Sequence, residues 1–300
     1  MQEIENLPPV SSVIKEFGLL RDGRRAKCLG QNFLLNPSLL RKIVLSAGDL
    51  TNNVVIEVGA GAGSLTREIL KQRPGRLVVI EKDNACVQAI TPLLLLANNI
   101  APNSMQIFNE DVLTFDFDVV KKDALANHYK IKIIANLPYN IGTKVLLNFL
   151  HNFDNDTVEQ MVLMFQKEVA DRILAAPGTK HFGRLSVLAQ YLTKCERVMT
   201  LSPGAFTPPP KVYSSLVRFV PNEKADLSLV HTISRITNAV FQARRKMLRN
   251  GLLALFPPDK VSALLRDLSI SEERRPETLS VSDFVELAKL VQAQLGELHV

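Results

Sequence analysis

The chain contains 300 residues, of which 46% are hydrophobic and 22% are charged, and its formal net charge is +6. These proportions are ordinary for a globular protein with an ample core, and the absence of internal repeats and low-complexity tracts excludes a repeat protein. The modest positive charge is compatible with a nucleic-acid partner but does not require one.

Three cysteines lie far apart in the sequence, at Cys28, Cys86 and Cys195. Their odd number and wide spacing predict free thiols in a reducing compartment, and neither a disulfide framework nor a zinc site. The acidic start lacks the basic and apolar stretches of a signal peptide, and the most apolar run, 93–97, is too short to cross a bilayer. We therefore expect a cytoplasmic protein with no membrane partner.

The first 42 residues divide into a weakly patterned part and a basic part. Residues 1–14 show no clear periodicity, and we expect them to be partly disordered. From 15 to 42 there are seven basic residues against two acidic ones, which indicates either phosphate contact or a solvated basic face. Within this stretch, Asn36-Pro37-Ser38 predicts the start of a helix.

Strands and helices alternate through the next part of the chain. Short apolar, β-branched runs predict buried strands at 54–58, 77–80, 105–108, 131–135 and 161–165. This alternation predicts an α/β protein with a parallel, doubly wound sheet. Two more strands are predicted at 197–201 and 212–220, and only helical periodicity follows. The sequence therefore predicts two domains, 1–220 and 221–300.

A glycine-rich turn follows the first of these strands. Gly59, Gly61 and Gly63 would let the backbone approach a ligand while the amides of the next helix point at it. Glu81 ends the second strand, where an acid can bind ribose hydroxyls. Asp111 follows the third strand and can accept a hydrogen bond from an adenine amine. Each feature alone is common, but together they predict a nucleoside site.

The tetrapeptide Asn136-Leu137-Pro138-Tyr139 follows the fourth strand. An ordinary strand-to-helix turn would explain it, but its chemistry also suits methyl transfer to an adenine amine. That amine is a poor nucleophile because its lone pair is delocalised into the ring. Acceptors on Asn136 and Leu137 would favour a pyramidal nitrogen, and Tyr139 would stack on an extruded base. No general base is needed, and no metal or Ser-His-Asp arrangement competes for the role.

Several motifs occur in an order typical of one enzyme family. They are Gly30-Gln31-Asn32-Phe33-Leu34, Glu57-Val58-Gly59-Ala60-Gly61-Ala62-Gly63, Asn136-Leu137-Pro138-Tyr139-Asn140-Ile141, Gln166-Lys167-Glu168-Val169, Gly183-Arg184-Leu185-Ser186, Ala205-Phe206-Thr207-Pro208-Pro209-Pro210-Lys211-Val212 and Phe241-Gln242-Ala243-Arg244-Arg245-Lys246-Met247-Leu248-Arg249-Asn250. From about Lys27 to Leu252 the sequence resembles the ribosomal RNA adenine N6,N6-dimethyltransferases, the bacterial family whose loss confers kasugamycin resistance.

The resemblance implies a Rossmann-like, S-adenosylmethionine-dependent methyltransferase domain followed by a smaller all-helical domain that binds rRNA. It implies dimethylation of N6 on two adjacent adenosines in the 3′-terminal hairpin loop of 16S rRNA. The implied partner is small-subunit rRNA within an immature 30S subunit, with no metal, and a monomer is the default expectation.

The resemblance also implies roles for particular residues. The implied cofactor contacts are Asn32, Leu34, Gly59, Gly61, Glu81, Asp111, Val112 and Asn136. The implied catalytic residues are Asn136, Leu137, Pro138, Tyr139 and Phe206, with Phe206 as a second aromatic wall of the base pocket.

The segment 241–253 contains four cations and no acid. A solvated end of an amphipathic helix would explain this composition, but we favour phosphate contact by Arg244, Arg245, Lys246 and Arg249. Related large-subunit rRNA methyltransferases share the catalytic motifs but typically lack this pattern. One departure from the family is Cys28-Leu29, where a basic and an aromatic residue are usual, and it bears on a local RNA or packing contact.

Two functions of other classes compete with methyl transfer. An NAD(P)-dependent oxidoreductase would account for the glycine turn and Glu81, but not for the turn at 136–139 or for the basic second half of the chain. An assembly factor that binds the ribosomal subunit without methylating it would not need an intact set of cofactor and pocket residues.

Overall fold

The structure is a computed structural model that describes residues 2–20, 32–152, 156–242 and 246–295. The strands are β1 Phe33–Leu34, β2 Asn53–Val58, β3 Arg76–Ile80, β4 Met105–Phe108, β5 Lys130–Asn136, β6 Val158–Gln166, β7 Thr193–Leu201, β8 Phe206–Thr207 and β9 Ser214–Pro221. The α-helices are α1 Gln2–Glu5, α2 Val10–Glu16, α3 Pro37–Leu45, α4 Ser64–Lys71, α5 Asn84–Ile100, α6 Asp118–Ala126, α7 Gly142–Asn152, α8 Lys167–Ile173, α9 Arg184–Leu192, α10 Val230–Phe241, α11 Leu248–Leu252, α12 Pro258–Asp267 and α13 Val281–Leu295. None of the described helices combines the length and the apolar character that crossing a bilayer requires.

Seven of the strands form one sheet in the order β4-β3-β2-β5-β6-β9-β7. β2 pairs in parallel with both β3 and β5, so the strand order reverses between β2 and β5. The predicted parallel, doubly wound arrangement is confirmed for β2 to β6. The sheet as a whole is mixed, because β9 is antiparallel to β6. No crossover helix, of the kind that usually joins parallel strands, lies between β7 and β9.

The centre of the sheet is the core of the protein. All six residues of β2 are buried, and Val54, Val55 and Ile56 are 0% exposed. Such complete burial is what a parallel strand covered by helices on both faces shows. The same core includes Ile43 of α3 and Leu93 of α5. These packed helices hold the strand ends in fixed positions, and the functional site is built on those ends.

The N-terminal segment is more ordered than its sequence predicted. Residues 1–14 were expected to be partly disordered, but α1 and α2 lie in this region. Val13, Ile14 and Leu19 are buried in one apolar cluster with Phe33 and Ala62. Because Ala62 belongs to the glycine-rich turn, the N-terminal segment packs against the support of that turn.

The chain divides into two compact units whose boundaries differ from the predicted domains in one segment. The first unit is Met1–Ala170 with Glu196–Pro221, and the second is Asp171–Cys195 with Asn222–Val300. The segment 171–195 thus groups with the C-terminal helices and not with 1–170. In this unit α9 packs against α10, the Phe182 ring contacts the Phe241 ring, and Arg184 donates to Asn238 Oδ1 (3.2 Å) and to Ser234 Oγ (3.1 Å) of α10.

In the second unit, α10 and α11 approach each other closely at Gly251. A Cβ atom at this position would lie 2.5 Å from the Cα atom of Val240, a distance that real Cβ contacts essentially never show. Gly251 therefore permits a backbone contact that no other residue type would allow without movement of a helix.

We expect Gly251→Ala to destabilise the protein by about 1–3 kcal/mol, because the added methyl group overpacks this contact. The midpoint of urea unfolding of the full-length protein measures the effect. Gly204→Ala is the matched control, since a Cβ atom there meets nothing within 4 Å. Equal midpoints for the two variants would contradict the close approach.

Candidate active site

A cavity of about 220 Å³ lies at the carboxyl ends of β2, β3 and β5, within the first compact unit. Open α/β sheets bind ligands at this edge, where the strand order reverses. The walls come mainly from the segments 32–34, 58–61, 80–82, 110–112 and 135–141. The predicted residues that line it are Asn32, Leu34, Gly59, Gly61, Glu81, Asp111, Val112, Asn136, Leu137, Pro138 and Tyr139.

The glycine-rich turn between β2 and α4 has a left-handed backbone at each glycine. The φ angles are 73° at Gly59, 57° at Gly61 and 80° at Gly63, a region that residues with a Cβ atom rarely occupy. The Gly59 amide donates to the carbonyl of Ile80 (2.9 Å), which ties the turn to the end of β3. At Gly61 a Cβ atom would lie 2.8 Å from the Phe33 ring. Glycine is therefore required here by conformation and by space.

Glu81 connects the glycine turn to the start of α5. It is 6% exposed, and its two carboxylate oxygens accept separate hydrogen bonds, from Gly61 N–H (3.0 Å) and from Asp83 N–H (2.8 Å). Burial raises the pKa of this carboxyl group, and the two amide donors oppose that rise. A carboxylate oxygen can accept a second bond, so Glu81 can also bind a ligand hydroxyl.

Asp111 forms the opposite rim of the cavity together with Lys82. Its Oδ1 accepts from Leu113 N–H (3.0 Å), and its Oδ2 pairs with Lys82 Nζ (2.8 Å). The hydrogen bond from Lys82 is the main reason that the pKa of Asp111 lies below its ordinary value. Lys82 lines the cavity as well, although only its place after Glu81 pointed to such a position. An amine that reached Asp111 would share this carboxylate with Lys82.

The Asn-Leu-Pro-Tyr turn lies next to the glycine turn, since a Cβ atom on Gly59 would come within 3.8 Å of Pro138 Cδ. The Pro138 carbonyl accepts from Gly142 N–H (3.0 Å) and so fixes the turn to the start of α7. Asn136 Nδ2 donates to the carbonyl of Asn32 (3.1 Å). This bond engages the donor end of the amide, so Oδ1 is the end that can accept from a bound amine.

Tyr139 is held by a hydrogen bond between its hydroxyl group and Ser214 Oγ. Ser214 is 0% exposed and begins β9, so the partner is itself rigidly placed. Burial raises the pKa of the Tyr139 phenol, which keeps the group neutral. A ring fixed in this way is a preformed surface on which a planar base can stack.

The structure separates two phenylalanines that the sequence could not distinguish. Phe206, predicted as a second aromatic wall, is 3% exposed and packs in the apolar core with Leu34 and Leu216. It pairs across β1 and β8 with Leu34 and is not among the residues that line the cavity. Phe33 does line the cavity, against Gly61. The sequence contained Phe33 within a motif but did not identify it as a wall residue.

The predicted RNA-binding cations lie in the second unit, and two of them are described. Arg244 and Arg245 lie outside the described residues. Lys246 is exposed. Arg249 is 38% exposed in its side chain and forms an ion pair with Glu272 (Nε–Oε2 2.9 Å). A phosphate at Arg249 would therefore compete with an internal carboxylate.

The side chains that could bind a metal ion are dispersed among the described residues. No group of His, Cys, Asp and Glu side chains within them could hold a metal ion. Neither Cys86 nor Cys195 is in a disulfide bond, as the sequence predicted for them, and burial raises the pKa of Cys195 to about 11. Cys28 lies outside the described residues.

Glu57 is a buried acid beneath the glycine turn. It is 1% exposed and faces Thr66 in the first turn of α4, but neither carboxyl oxygen has a hydrogen bond of normal geometry. Burial raises its pKa to about 8, and the nearby Glu81 adds to the rise. Near neutral pH, Glu57 is therefore mostly a neutral carboxylic acid, which is less costly to bury than a carboxylate.

Comparison with known proteins gives concordant matches along nearly the whole chain. A family model described as ribosomal RNA adenine dimethylase matches residues 24–293. A protein of Mesorhizobium japonicum named ribosomal RNA small subunit methyltransferase A is 43% identical, over 96% of this chain and 99% of that protein. The protein of the same name from Brucella abortus is 41% identical, over 95% and 98%.

Two solved structures share the fold. A dimethyladenosine transferase from Plasmodium falciparum superposes with a TM-score of 0.71 at 24% identity, covering 86% of this chain and 96% of the other. The 23S rRNA methyltransferase ErmE superposes with a TM-score of 0.62 at 20% identity, covering 86% and 98%.

The raised pKa of Glu57 leads to a prediction about stability and pH. Between its ordinary value of 4.5 and about 8, the folded protein keeps a proton that the unfolded chain releases. The contribution of Glu57 to stability therefore falls as the pH rises through this window. We therefore expect the free energy of unfolding of Glu57→Gln to increase relative to that of the wild type as the pH rises from roughly 5 to roughly 8.

Urea unfolding of both proteins at the two pH values measures this difference. The control is Glu223→Gln at an exposed acid, for which the difference from the wild type should not change with pH. A Glu57→Gln difference that is independent of pH would show that Glu57 does not hold the extra proton.

Proposed function

This chain belongs to the ribosomal RNA adenine dimethylase family, and on that basis we propose that it dimethylates N6 of two adjacent adenosines in the 3′-terminal hairpin loop of small-subunit rRNA. The methyl donor is S-adenosylmethionine, and the substrate is rRNA within an immature 30S subunit. One observation carries the assignment of residues: the glycine turn, Glu81 and Asp111 share a single cavity with the Asn-Leu-Pro-Tyr turn.

The cavity residues fit the cofactor by the chemistry of their donors and acceptors. The left-handed glycines leave a space that side chains would fill, so the methionine part of the cofactor can lie against the backbone of the turn. Glu81 would accept from the ribose hydroxyls, and Asp111 from the adenine amine. When bound, S-adenosylmethionine supplies an electrophilic methyl group on a sulfonium, with a neutral thioether as the leaving group.

The target adenine must leave its stack to reach this cavity. Tyr139, fixed by Ser214, would stack on the extruded base, which contributes on the order of 1–3 kcal/mol. Asn136 Oδ1 and the Leu137 carbonyl would accept from the two N–H groups of the amine. Because Asn136 Nδ2 is bound to Asn32, the orientation of its amide is set before the base arrives. The main contribution of these residues is position and electrostatics.

Each methyl transfer forms one N–C bond, breaks one S–C bond and releases one proton from the amine. The amine becomes strongly acidic once it carries the fourth bond, so water can take the proton and no side-chain base is required. Two transfers convert the amine to a dimethylamine. In the second transfer only one N–H remains, so one of the two acceptors must bind it while the first methyl group occupies the space beside the other.

We expect Asn136→Ala to lower kcat for methyl transfer by about 10²–10³-fold, the usual effect of removing one preorganised hydrogen-bonding group at a reacting centre. Transfer of labelled methyl groups to unmethylated small ribosomal subunits measures the rate. RNA binding, measured separately, should survive, and Asn136→Asp should retain more activity because it keeps an acceptor oxygen. Equal loss of RNA binding and methyl transfer would contradict the role given to Asn136.

We expect the double variant Arg244→Glu/Arg245→Glu to weaken RNA binding and flatten its dependence on salt, because fewer phosphates are neutralised. Cofactor affinity should change little. Lys260→Glu/Arg266→Glu is a control with the same change in charge at two exposed residues of α12. Unchanged RNA affinity in the first variant, or an equal loss in the control, would remove this segment from the binding surface.

A further inference from the structure

Tyr213 differs from every other aromatic residue that the structure describes, because it alone is exposed to solvent. Its exposed fraction is 53%, and that of the preceding Val212 is 42%. Exposed aromatic rings are sites where planar ligands or partner proteins bind. Neither the cofactor cavity nor the base pocket uses Tyr213.

Tyr213 lies directly beside the wall of the base pocket. The next residue in the chain is Ser214, whose hydroxyl group holds Tyr139. Consecutive Cα atoms are about 3.8 Å apart, so the backbone that carries the exposed ring adjoins the residue that fixes the stacking ring inside the pocket. Ser214 pairs with Gln166 at the carboxyl end of β6, so Tyr213 lies at the edge of the sheet that carries the cavity.

The backbone of Tyr213 is held in place from both sides. Its carbonyl accepts from Lys167 N–H (2.8 Å) at the start of α8. The register between β6 and β9, with Gln166 opposite Ser214, continues this pairing into the sheet. Three prolines at 208–210 precede the segment and restrict the incoming chain. The backbone that carries the ring therefore loses little conformational freedom when a ligand binds.

RNA supplies the ligand that fits this position, given the proposed function. An adenosine extruded into the pocket leaves its neighbour in the loop without a stacking partner. Base–aromatic stacking tolerates any base, and Lys211, exposed two residues away, suits the adjoining phosphate. We infer that Tyr213 is a second stacking site, which binds the base next to the adenosine in the pocket.

Under the proposed function, the base that stacks on Tyr213 is the second of the two adjacent adenosines, and it is itself a substrate. While one adenosine is in the pocket, the other rests on Tyr213. The two bases exchange places between the successive modifications. A protein with two stacking positions on one edge thus holds an adjacent pair rather than a single base.

A double-mutant cycle tests the inference with the full-length protein and a synthetic RNA hairpin whose loop carries two adjacent adenosines. We expect Tyr213→Ala to weaken binding by about 5- to 100-fold, and Tyr213→Phe to bind like the wild type. In two further hairpins, one or the other adenosine is replaced by an abasic nucleotide. In at least one of these two RNAs, the loss of affinity caused by Tyr213→Ala should fall to about twofold or less. Leu125→Ala, at an apolar side chain that is 60% exposed on α6, is the control and should have no effect.

Three outcomes overturn the inference: unchanged affinity in Tyr213→Ala, an equal loss with normal and both abasic RNAs, or failure of the wild type to bind any of the hairpins. Methyl transfer by the wild type to small ribosomal subunits is measured in parallel. If the wild type methylates the subunits but the cycle shows no coupling, only the Tyr213 site is rejected. If the wild type methylates nothing, the proposed function fails instead.

Discussion

The hydrogen bond between the Gly61 amide and the Glu81 carboxylate is the interaction on which the cofactor site depends. It joins the turn after β2 to the end of β3, and the second oxygen of Glu81 continues the link to α5 through Asp83. A buried carboxylate is costly, and these two amide donors offset much of that cost. The same bonds fix a turn of left-handed glycines that would otherwise adopt many conformations. A single side chain thus shapes the turn and presents an acceptor to the ligand.

The second half of the site depends on a longer connection. Asn136 is bound to the backbone of Asn32, 104 positions earlier in the sequence, and Asn32 directly precedes the short strand β1. This bond draws the N-terminal region over the edge of the sheet, where Phe33 meets Gly61. The cofactor side and the base side of the cavity are therefore not independent. A shift of β1 would move both the wall beside the glycine turn and the side-chain amide of Asn136.

Local sequence patterns were sufficient for most of the sheet and for both turns, because the central strands β2 to β6 contain short apolar runs that stop at polar residues or glycine. Local patterns were insufficient where contacts between distant parts of the sequence determine the grouping, burial or pairing of a residue. The grouping of 171–195 with the C-terminal helices depends on the packing of α9 against α10, which includes the Phe182–Phe241 contact and the hydrogen bonds of Arg184. The burial of Phe206 depends on pairing between two-residue strands. α6 buries only Val120 and Ala124, an apolar stripe too narrow to predict a helix. The pairing of Lys82 with Asp111 requires the spatial proximity of two loops.

The packing of α2 on Phe33 has a consequence for how variation in this enzyme should be understood. α2 contributes no residue to the cavity, yet Val13 and Ile14 support the ring that bounds the glycine turn. Closely packed interiors transmit small changes in volume to their neighbours. A change of side-chain volume on the apolar side of α2 would thus be transmitted to Phe33 and to the glycine turn, although α2 itself does not line the cavity. The N-terminal segment is therefore part of the support of the cavity, although none of its described residues lines it.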